Sequence, residues 1–386
     1  MKAIGIIAEY NPFHHGHAYQ IEQVKQRYQP DVLIVVMSGN VVQRGEFAMI
    51  DKWQRAQLAL EHGADLVVEL PLLASLQSAD YFAKESVRLL SRLKCQQVVF
   101  GTETARTEEL YQFHHWVTDH RQAIDQEIKK HLNKGHSYAY SYQQALDGLQ
   151  APLTFDASSS NHILSLQYIR WNDHFGEKMK LLALPRIYTR KDYPILSGSQ
   201  IRKKWFKGTL TKEQVPLKTW QTLNETSAVS WEDYWPLLQY RLMSDSYHSL
   251  EQIVGMKEGI ERRFKEYAFL ETFEQFIEQM TSKRWSASSL QRLCMAVLLN
   301  IDSQTWQQEK KQQSQRSVTR ILGFNQRGRL YLNGLKKEPC LQLFTNLTKE
   351  LEPRYQLSLQ ADRIYQLNSN TKIDEQIIAR YGIYKK

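Results

Sequence analysis

Five short apolar runs in the first 200 residues constrain the fold of this chain more than any other feature. Runs of this kind, rich in Val, Ile and Leu, are typical of strands that are buried on both faces of a parallel sheet. Between the first two runs, apolar residues recur at roughly helical spacing from Ala18 to Tyr28. The pattern therefore predicts an α/β fold, with a Rossmann-like parallel sheet that begins β-α-β. The five runs are Ala3–Ala8, Val32–Met37, Leu66–Leu70, Val98–Phe100 and Leu181–Leu184.

The second half of the chain has a different pattern. Apolar residues follow one face of a long helix from Ile260 to Met280, and Ser288 could cap another helix that runs through Leu298. Few runs before residue 340 resemble strands, and the Gln/Lys-rich segment Gln307–Gln315 is typical of a mobile surface loop. Because 386 residues are too many for one ordinary core, we predict two domains. These are a nucleotide-binding α/β domain over residues 1–200 and a basic, mainly α-helical domain over residues 201–386.

Composition argues against several classes of protein. No run of 18 apolar residues is present, and the first apolar stretch is too short for a signal-peptide core, so we expect a cytoplasmic protein. The cysteines Cys95, Cys294 and Cys340 are widely spaced and never form a CxxC pair. This spacing argues against a disulfide framework and against a structural zinc site.

The excess of positive charge lies entirely in the second half. Residues 1–200 hold 21 Lys and Arg against 21 Asp and Glu, whereas residues 201–386 hold 29 against 20. Residues 310–337 contain eight basic residues and no acid, with Phe324 and Tyr331 among them. This pattern suits a polyanion whose bases could stack on the aromatic rings, although a solvated charged surface is the alternative. The eight residues are Lys310, Lys311, Arg316, Arg320, Arg327, Arg329, Lys336 and Lys337.

The segment Gly5–His17 joins the first predicted strand to the first predicted helix, turning at Asn11-Pro12. In α/β folds this position binds phosphate, because unpaired amides and the positive end of the helix dipole face the anion. Gly16 lets the backbone approach phosphates closely, and His14 and His17 can converge on one group of oxygen atoms. The segment therefore predicts a nucleotide site in which imidazoles stabilise charge that builds on the α-phosphate.

Histidines in such a segment could also have a structural or a metal-binding role. A single histidine is usually structural or merely exposed, and a His-x-His pair could bind a metal, but the strand, the Asn-Pro turn and the glycine together favour a nucleotide site. His114, His115 and His120 lack the spacing that would put three imidazoles on one helical face, so an exposed polar helix accounts for them better than zinc does. No Asp/Glu cluster indicates a protein cage for Mg²⁺, which we therefore expect to be carried on ATP.

The segment Glu9–His17 resembles the HxGH superfamily of nucleotidylyltransferases. With Met37–Glu46, Asp51–Arg55, Gly63–Pro71 and Phe100–Glu103, it closely resembles one family, the bacterial tRNA(Met) cytidine acetate ligases. These motifs cover the N-terminal half densely, and the pattern in the rest of the chain is weaker. The resemblance implies an ATP-binding catalytic domain followed by a tRNA-binding domain.

The resemblance also implies a reaction in two steps. Acetate attacks the α-phosphate of ATP to give acetyladenylate and pyrophosphate. The acetyl group then passes to the exocyclic amino group of the wobble cytidine in elongator tRNA(Met), which becomes N4-acetylcytidine. Activation is needed because the lone pair of that amino group is delocalised into the ring. His14 and His17 are the expected catalytic residues.

Further ATP contacts are expected from position and from the resemblance. Gly101 ends the fourth strand, where a side chain would crowd the nucleotide, although an ordinary turn is the alternative. The family pattern implies ATP contacts for Asn161, which could instead be an N-cap, and for Arg186. Two family positions differ here, since Ser160 and Pro185 replace a proline and a basic residue. The expected contacts are Ile7, Ala8, Glu9, Tyr10, Asn11, Pro12, Phe13, His14, Gly16, His17, Gln20, Gly101, Asn161, Arg186, Ser199 and Arg202.

Two of those contacts belong to Leu196–Arg202, which resembles the Ser-rich turn and Arg that close over the triphosphate in the superfamily. Hydroxyls and amides there would hold the β- and γ-phosphates, and Arg202 would neutralise the leaving pyrophosphate. A plain helix N-terminus is the alternative.

Candidates for the other substrates lie in two places. The loop Ser38–Gly45 follows the second strand and suits the mouth of a site, so Gln43, Arg44, Lys52 and Arg55 are candidates for contacts with acetate, phosphate or tRNA. Surface charge pairing accounts for Lys52 and Arg55 equally well. Charge and resemblance agree on RNA binding in the basic half, where the candidates are Arg316, Arg320, Arg327, Arg329, Lys336 and Lys337.

Two other functions stay open at this point. A small-molecule adenylyltransferase would use the same HxGH site, but such enzymes are commonly compact and need no basic extension of 186 residues. A catalytically silent RNA-binding protein is the second alternative, and the intact His14, Gly16 and His17 argue against it.

Overall fold

The computed structural model describes residues 1–103, 106–136, 138–152, 160–176, 179–190, 193–336, 338–369 and 383–385. The first half alternates strands with helices, as the apolar runs predict. Its elements are β1 (Ala3–Ala8), α1 (His15–Tyr28), β2 (Val32–Ser38), β3 (Val41–Val42), β4 (Glu46–Phe47), α2 (Lys52–Glu61), β5 (Leu66–Leu70), α3 (Leu72–Ser75), α4 (Ala79–Arg92), β6 (Gln97–Thr102), α5 (Thr107–Asp119), α6 (Arg121–Asn133), α7 (Tyr138–Gly148), α8 (Ser160–His174), β7 (Lys180–Pro185), β8 (Thr189–Arg190), β9 (Tyr193–Pro194) and α9 (Gly198–Phe206).

The second half is mainly helical and contains three further strands. Its elements are η1 (Lys212–Gln214), α10 (Leu217–Glu225), α11 (Trp231–Ser244), α12 (Tyr247–Glu251), α13 (Ile260–Tyr267), α14 (Phe273–Met280), α15 (Ala287–Leu298), α16 (Ser303–Gln315), β10 (Ser317–Asn325), α17 (Gln326–Leu335), β11 (Leu341–Phe344), η2 (Glu352–Arg354), α18 (Gln356–Tyr365), η3 (Gln366–Asn368) and β12 (Ile383–Lys385), where η denotes a 3-10 helix. In the described part of the chain, no helix has the length and apolar character that crossing a membrane requires.

A large sheet organises the molecule, with the strand order β11-β10-β5-β2-β1-β6-β7. The five strands from β5 to β7 in that order are parallel to their neighbours, which confirms the predicted α/β class. The chain moves from β1 to β2 on one side and later returns to β6 on the other side of β1. Such a reversal leaves a crevice at the carboxyl ends of the two strands, where α/β proteins bind ligands.

The second half also contributes to this sheet. β10 pairs antiparallel with β5 and parallel with β11 and β12. The expectation of few strands before residue 340 is confirmed, since β10 is the one named strand among the described residues from 201 to 340, but β10 itself was not predicted. β10 was hard to recognise in the sequence because it contains polar residues, which find partners only in the fold. Thr319 donates a hydrogen bond to the Glu69 carbonyl, and Arg320 lies over the Trp53 ring at 4.7 Å. The division of the chain at residue 200 stays a prediction.

The long helix predicted from Ile260 to Met280 is in fact two helices, α13 and α14. The chain turns between them, and the Thr272 side chain caps α14 by accepting a hydrogen bond from the Gln275 amide at 3.1 Å. The turn folds both apolar faces onto the same core, where the Phe264 and Phe276 rings lie 5.5 Å apart.

Two further helix predictions need correction. α15 begins after Ser286 and not after Ser288, because the Ser286 side chain accepts the Ser289 amide hydrogen. The segment Gln307–Gln315 is not a loop but the greater part of α16, which Asp302 caps and which buries Trp306 and Gln313. The sparse apolar side chains of α16 gave little helical signal in the sequence.

Buried charges join the C-terminal helix α18 to the sheet. Lys52 Nζ lies 2.9 Å from a carboxylate oxygen of Glu69 and 2.6 Å from one of Asp362, and all three side chains are inaccessible to solvent or nearly so. Asn40 adds to the group by donating a hydrogen bond to Asp362 at 2.9 Å. Because unpaired buried charges are costly, these contacts fix α2, β5 and α18 relative to one another.

Candidate active site

A cavity of about 320 Å³ opens at the carboxyl ends of β1, β6 and β7. The first turns of α1 and α9 both line it, so the positive ends of two helix dipoles face the same space. Most of the predicted nucleotide contacts meet here. The predicted residues in the wall are Ile7, Ala8, Glu9, Tyr10, Asn11, His14, Gly16, His17, Gln20, Gln43, Arg44, Gly101, Arg186, Ser199 and Arg202.

His14 and His17 stack on each other at the start of α1. Their ring centroids are 3.5 Å apart, and Nδ1 of His17 accepts a hydrogen bond from the His14 amide at 3.2 Å. Burial lowers the pKa of His14 to about 3, and the charges of Arg186 and His15 act in the same direction. Burial, His14 and Arg186 likewise lower the pKa of His17 well below its usual value. Both imidazoles are therefore neutral near pH 7, and Nε2 of His17 carries its proton.

Gly16 packs closely against the His14 ring. A Cβ atom at this position would lie 3.0 Å from Cε1 and 3.1 Å from Nδ1 of His14, which is tighter than most packing contacts, so the imidazole would have to shift by a few tenths of an ångström. The same Nδ1 atom is buried and has no hydrogen-bond partner among the described residues. A helix start with a free polar atom and exposed amides is suited to an anion.

Arg202 is held at the wall by the loop between β1 and α1. Its guanidinium donates to the Asn11 carbonyl at 2.7 Å and pairs with Glu46 at 2.7 Å. The Asn11 side chain in turn donates to Glu46 at 3.2 Å and accepts from the Met49 amide at 2.9 Å. The guanidinium is thus fixed at the cavity before any ligand arrives, as a preorganised phosphate site requires.

Glu9 places a carboxyl group in the same wall. The Gln43 amide donates to it at 2.6 Å. Burial raises the pKa of Glu9, and Glu46 adds to that effect, while the hydrogen bond from Gln43 and the charges of Arg202 and Arg44 oppose it. Because Glu9 directly follows β1, the hydrogen bond from the Gln43 amide attaches the loop that carries Gln43 and Arg44 to the end of that strand.

The opposite wall is formed by the ends of β6 and β7. The Arg186 amide donates to the Thr102 carbonyl at 2.9 Å, and its guanidinium lies 3.3 Å from Glu103. A Cβ atom on Gly101 would contact only the Arg186 side chain, at 3.7 Å, so this part of the cavity is open. Gln20 reaches across from α1 and donates to the Val99 carbonyl at 3.2 Å.

Three predicted contacts are not placed in the wall. Pro12 is buried behind it, and Phe13 packs against Tyr10, His17 and His62 with ring centroids 4.4–5.6 Å apart. Both residues support the turn from inside the core. Asn161 lies in α8, and its side chain is outside the described part of the structure.

The structure argues against substrate contacts by Lys52 and Arg55. Lys52 is enclosed by the carboxylates of Glu69 and Asp362. Arg55 is also inaccessible to solvent and donates to the carbonyls of Glu9, Ser38, Gly39 and Ile50. It fixes the ends of β1 and β2, which is a structural role beneath the cavity.

The predicted RNA-binding residues are dispersed. Arg320 is fully buried, and the Tyr331 ring is also buried, with its hydroxyl donating to the Leu93 carbonyl at 2.7 Å, so neither can meet RNA in this conformation. Arg327 borders a recess formed by Met1, Lys25 and Gln29–Asp31, at the amino ends of β1 and β2 and thus opposite the cavity. Exposed cations remain at Arg316, Arg329 and Lys336, whereas Lys337 lies outside the described residues.

Several lining residues were not predicted. Four of them, from separate parts of the chain, form an apolar surface: Phe82 of α4, Phe100 of β6, and Leu164 and Tyr168 of α8. Phe100 and Tyr168 pack with ring centroids 5.8 Å apart. Four of the unpredicted residues had a signal, since Glu46 and Phe100 lie at the ends of motifs that carry the family resemblance, and Ser197 and Gly198 lie within Leu196–Arg202. The residues missed are Tyr19, Glu46, Phe82, Phe100, Leu164, Tyr168, Leu184, Pro185, Ile187, Ile195, Ser197 and Gly198.

The chain is similar to known proteins over most of its length. A family model described as HIGH Nucleotidyl Transferase matches residues 1–379. The chain is 37% identical over 379 residues to the tRNA(Met) cytidine acetate ligase of Ligilactobacillus salivarius, covering 95% of this chain and 96% of that protein. It is 36% identical over 364 residues to the enzyme of the same name from Latilactobacillus sakei, covering 91% and 89%.

Solved structures are similar over the full length. Thermotoga maritima TmcAL bound with alpha-thio ATP matches with a TM-score of 0.85 and 27% identity, covering 100% of this chain and 99% of that one. The apo form of the same protein matches with a TM-score of 0.84 and 26% identity. The similarity thus extends over both the cavity and the helical second half.

Proposed function

Because this chain belongs to the HIGH nucleotidyl transferase family and, within it, to the tRNA(Met) cytidine acetate ligases, we propose that it uses ATP to acetylate the wobble cytidine of elongator tRNA(Met). One observation carries the proposal: the start of α1, with His14 and His17, faces the same cavity as the start of α9, with Ser199 and Arg202. Two helix starts, two neutral imidazoles and one guanidinium suit a triphosphate.

In the first step, an acetate oxygen attacks the α-phosphorus of ATP and the bond to pyrophosphate breaks. His14 and His17 donate hydrogen bonds to the α-phosphate as negative charge builds there. Ser199 and Arg202 hold the β- and γ-phosphates and offset the charge of the leaving pyrophosphate. Arg186 approaches the nucleotide from the other wall. The product is acetyladenylate, a mixed anhydride.

In the second step, the exocyclic nitrogen of the cytidine attacks the carbonyl carbon of acetyladenylate. The bond between that carbon and the phosphate oxygen breaks, and AMP leaves with its electron pair. The nitrogen loses one proton to water, so that an amide remains. The adenylate makes this attack possible because its leaving group is far better than hydroxide.

We propose that Mg²⁺ enters on the phosphates of ATP. The two carboxyl groups at the cavity are already engaged, Glu9 with the Gln43 amide and Glu46 with Arg202. Among the described residues, no three His, Cys, Asp or Glu side chains gather as metal ligands. The tRNA substrate would place the reaction in the cytoplasm.

The test supplies the protein with ATP, radiolabelled acetate and total bacterial tRNA, and follows label in RNA together with pyrophosphate exchange into ATP. The unsubstituted protein is expected to support both reactions. His17→Ala removes a donor to the α-phosphate and should slow both by about 10²–10³-fold. His115→Ala is the matched control, because this imidazole is exposed on α5 away from the cavity, and it should leave both rates unchanged.

Three other results would contradict the proposed activity. Label in a nucleotide product alone would indicate adenylyl transfer to a small molecule. Retained tRNA binding without ATP turnover would indicate an RNA-binding protein that lacks catalysis. Equal losses in the His17 and His115 variants would show that His17 has no special part in the reaction.

A further inference from the structure

Helix α9 leads from the cavity to the protein surface. Gly198, Ser199 and Arg202, in its first turns, line the cavity. Beyond them Lys203 and Lys207 are exposed, and Phe206 is 48% exposed. Single exposed apolar side chains are common on protein surfaces, so what distinguishes Phe206 is its place on the helix whose first turns line the cavity.

The orientation of α9 makes this surface continuous with the cavity. At about 100° per residue, Phe206 lies roughly 40° around the helix from Arg202 and one turn farther out. The opposite face is fixed in the core, since Ile201 is fully buried and the Trp205 ring lies 6.0 Å from Trp220. The exposed face of α9 cannot turn inward.

A second exposed aromatic ring is next in sequence to a residue of the cavity wall. Tyr188 is 62% exposed and directly follows Ile187, which lines the cavity. The Tyr188 carbonyl accepts a hydrogen bond from the amide of Ile195, another lining residue, at 2.7 Å. The backbone beneath the ring is therefore held in place while the ring itself faces solvent.

The segment that contains α9 is positively charged. From Tyr193 to Lys212 the sequence contains five basic residues and no acid. Lys203 and Lys207 form no ion pair with any residue that the structure describes. Their full charge is available to a partner, and unpaired lysines near exposed aromatic rings are suited to single-stranded RNA.

We propose that the rim formed by Tyr188, Lys203, Phe206 and Lys207 receives the anticodon loop, with loop bases stacked on the two rings and loop phosphates on the two lysines. The inference rests on the proposed function and adds where the RNA lies. Single-stranded loops are recognised in this way because their bases can unstack from the helix and lie against aromatic side chains.

The position of the rim favours it over the basic segment that the sequence singled out. Arg327 lies near the amino ends of β1 and β2, and β1 spans six residues, or roughly 20 Å, from there to the cavity. A base that enters the cavity must have its neighbouring nucleotides at the rim. Arg327 and Arg329 could reach only a distant part of a tRNA.

Stacking is tested by measuring the dissociation constant of a fluorescent RNA stem-loop that carries the anticodon loop of elongator tRNA(Met). Tyr188→Leu should weaken binding on the order of tenfold, because the loss of one aromatic platform removes a base stack. Tyr188→Phe retains the ring and should bind within about twofold of the unsubstituted protein. Equal weakening in both variants would contradict stacking.

Phosphate contacts are tested by the salt dependence of the same binding. Lys203→Gln with Lys207→Gln should reduce the slope of log K against log salt by about 1.4, or about 0.7 for each lost contact to single-stranded RNA. The matched control is Lys129→Gln with Lys134→Gln, an exposed pair at α6, which lies outside the cavity wall. Its slope should not change.

Pyrophosphate exchange should stay at the unsubstituted rate in all these variants, which shows that they are folded and that ATP chemistry is intact. The inference is overturned if the α9 and Tyr188 variants bind the stem-loop normally, or if Arg327→Gln with Arg329→Gln alone weakens it. Failure of the proposed function is seen separately, as stem-loop binding by the unsubstituted protein without label from acetate in RNA.

Discussion

At the scale of single residues, the stacked histidines show how burial prepares side chains for phosphate chemistry. A charged imidazole would attract ATP strongly but would also retain the products. Burial keeps His14 and His17 neutral, so in the proposed reaction they would act through hydrogen bonds directed at the place where charge develops. The positive electrostatic field that attracts ATP in the proposed reaction would come instead from the helix starts and the arginines.

This arrangement predicts a specific pH dependence. Both histidines have lowered pKa values, that of His14 about 3, so neither should gain a proton between pH 8 and pH 6. The rate of pyrophosphate exchange at low Mg-ATP should therefore show no inflection near pH 6.5. An inflection there that disappears in His14→Gln or His17→Gln would show that a protonated imidazole takes part.

The residues that sequence could predict are those that lie close together in the chain. Glu9 to His17 surround one turn, so their chemistry and spacing indicate the site directly. Lys52 and Arg55 misled the prediction because a cation looks the same in sequence whether it meets water or a buried carboxylate. Their partners, Asp362 for Lys52 and the Glu9 carbonyl for Arg55, come from distant parts of the fold.

At the scale of elements, the contact between α9 and the loop before α1 determines whether the cavity is complete. Gly198 makes this contact possible, because a Cβ atom there would lie 2.8 Å from the Asn11 carbonyl oxygen. The same oxygen accepts the hydrogen bond of Arg202 at 2.7 Å. One helix start, one loop and one arginine are thus joined at a single atom.

Gly198→Ala should therefore displace the start of α9 and weaken the hold on Arg202. We expect the KM for ATP in pyrophosphate exchange to rise about tenfold or more, since small displacements of positioning groups have large effects. Gly148→Ala at the end of α7 is the control, as a Cβ atom there meets nothing within 4 Å. Equal KM values for the two variants would mean that α9 does not position the triphosphate.

Helices and strands could be predicted where the pattern of apolar residues in the sequence was regular over the whole element. β1 to β7 contain five strands that are almost wholly apolar, and each was recognised within one or two residues of its bounds. β10 was not, because its polar side chains find partners only after the C-terminal half folds back onto β5. The turn between α13 and α14 was missed because both helices continue the same apolar spacing.

At the scale of the whole molecule, the C-terminal segment holds the second half of the chain onto the first. α18 contacts the Lys52 group on one side, while on the other its Leu357 amide donates to Glu309 of α16 at 3.3 Å. The second carboxyl oxygen of Glu309 is buried and has no hydrogen-bond partner among the described residues. A buried carboxyl group with so little support favours its neutral form.

Glu309 should therefore make the stability of the protein depend on pH. Burial raises its pKa from 4.5 to about 7 in the folded state, against the opposing hydrogen bond from Leu357. Between these values the folded protein holds a proton that the unfolded chain has lost, so the free energy of unfolding falls as pH rises. The contribution of Glu309 to the free energy of unfolding that is lost between pH 5 and pH 8 is about 2–3 kcal/mol.

Urea unfolding at the two pH values measures this effect. In Glu309→Gln the group no longer titrates, so the fall in the free energy of unfolding from pH 5 to pH 8 should be smaller than in the unsubstituted protein by about 2–3 kcal/mol. Burying an amide has its own free-energy cost, but that cost is the same at both pH values. It therefore cancels when the change in the free energy of unfolding with pH is compared between variants. Glu352→Gln alters a carboxylate that is 47% exposed and should leave the slope unchanged, because solvent already screens its charge. The same slope in both variants would mean that Glu309 is ionised and solvated in the folded protein, and that α16 and α18 do not bury it.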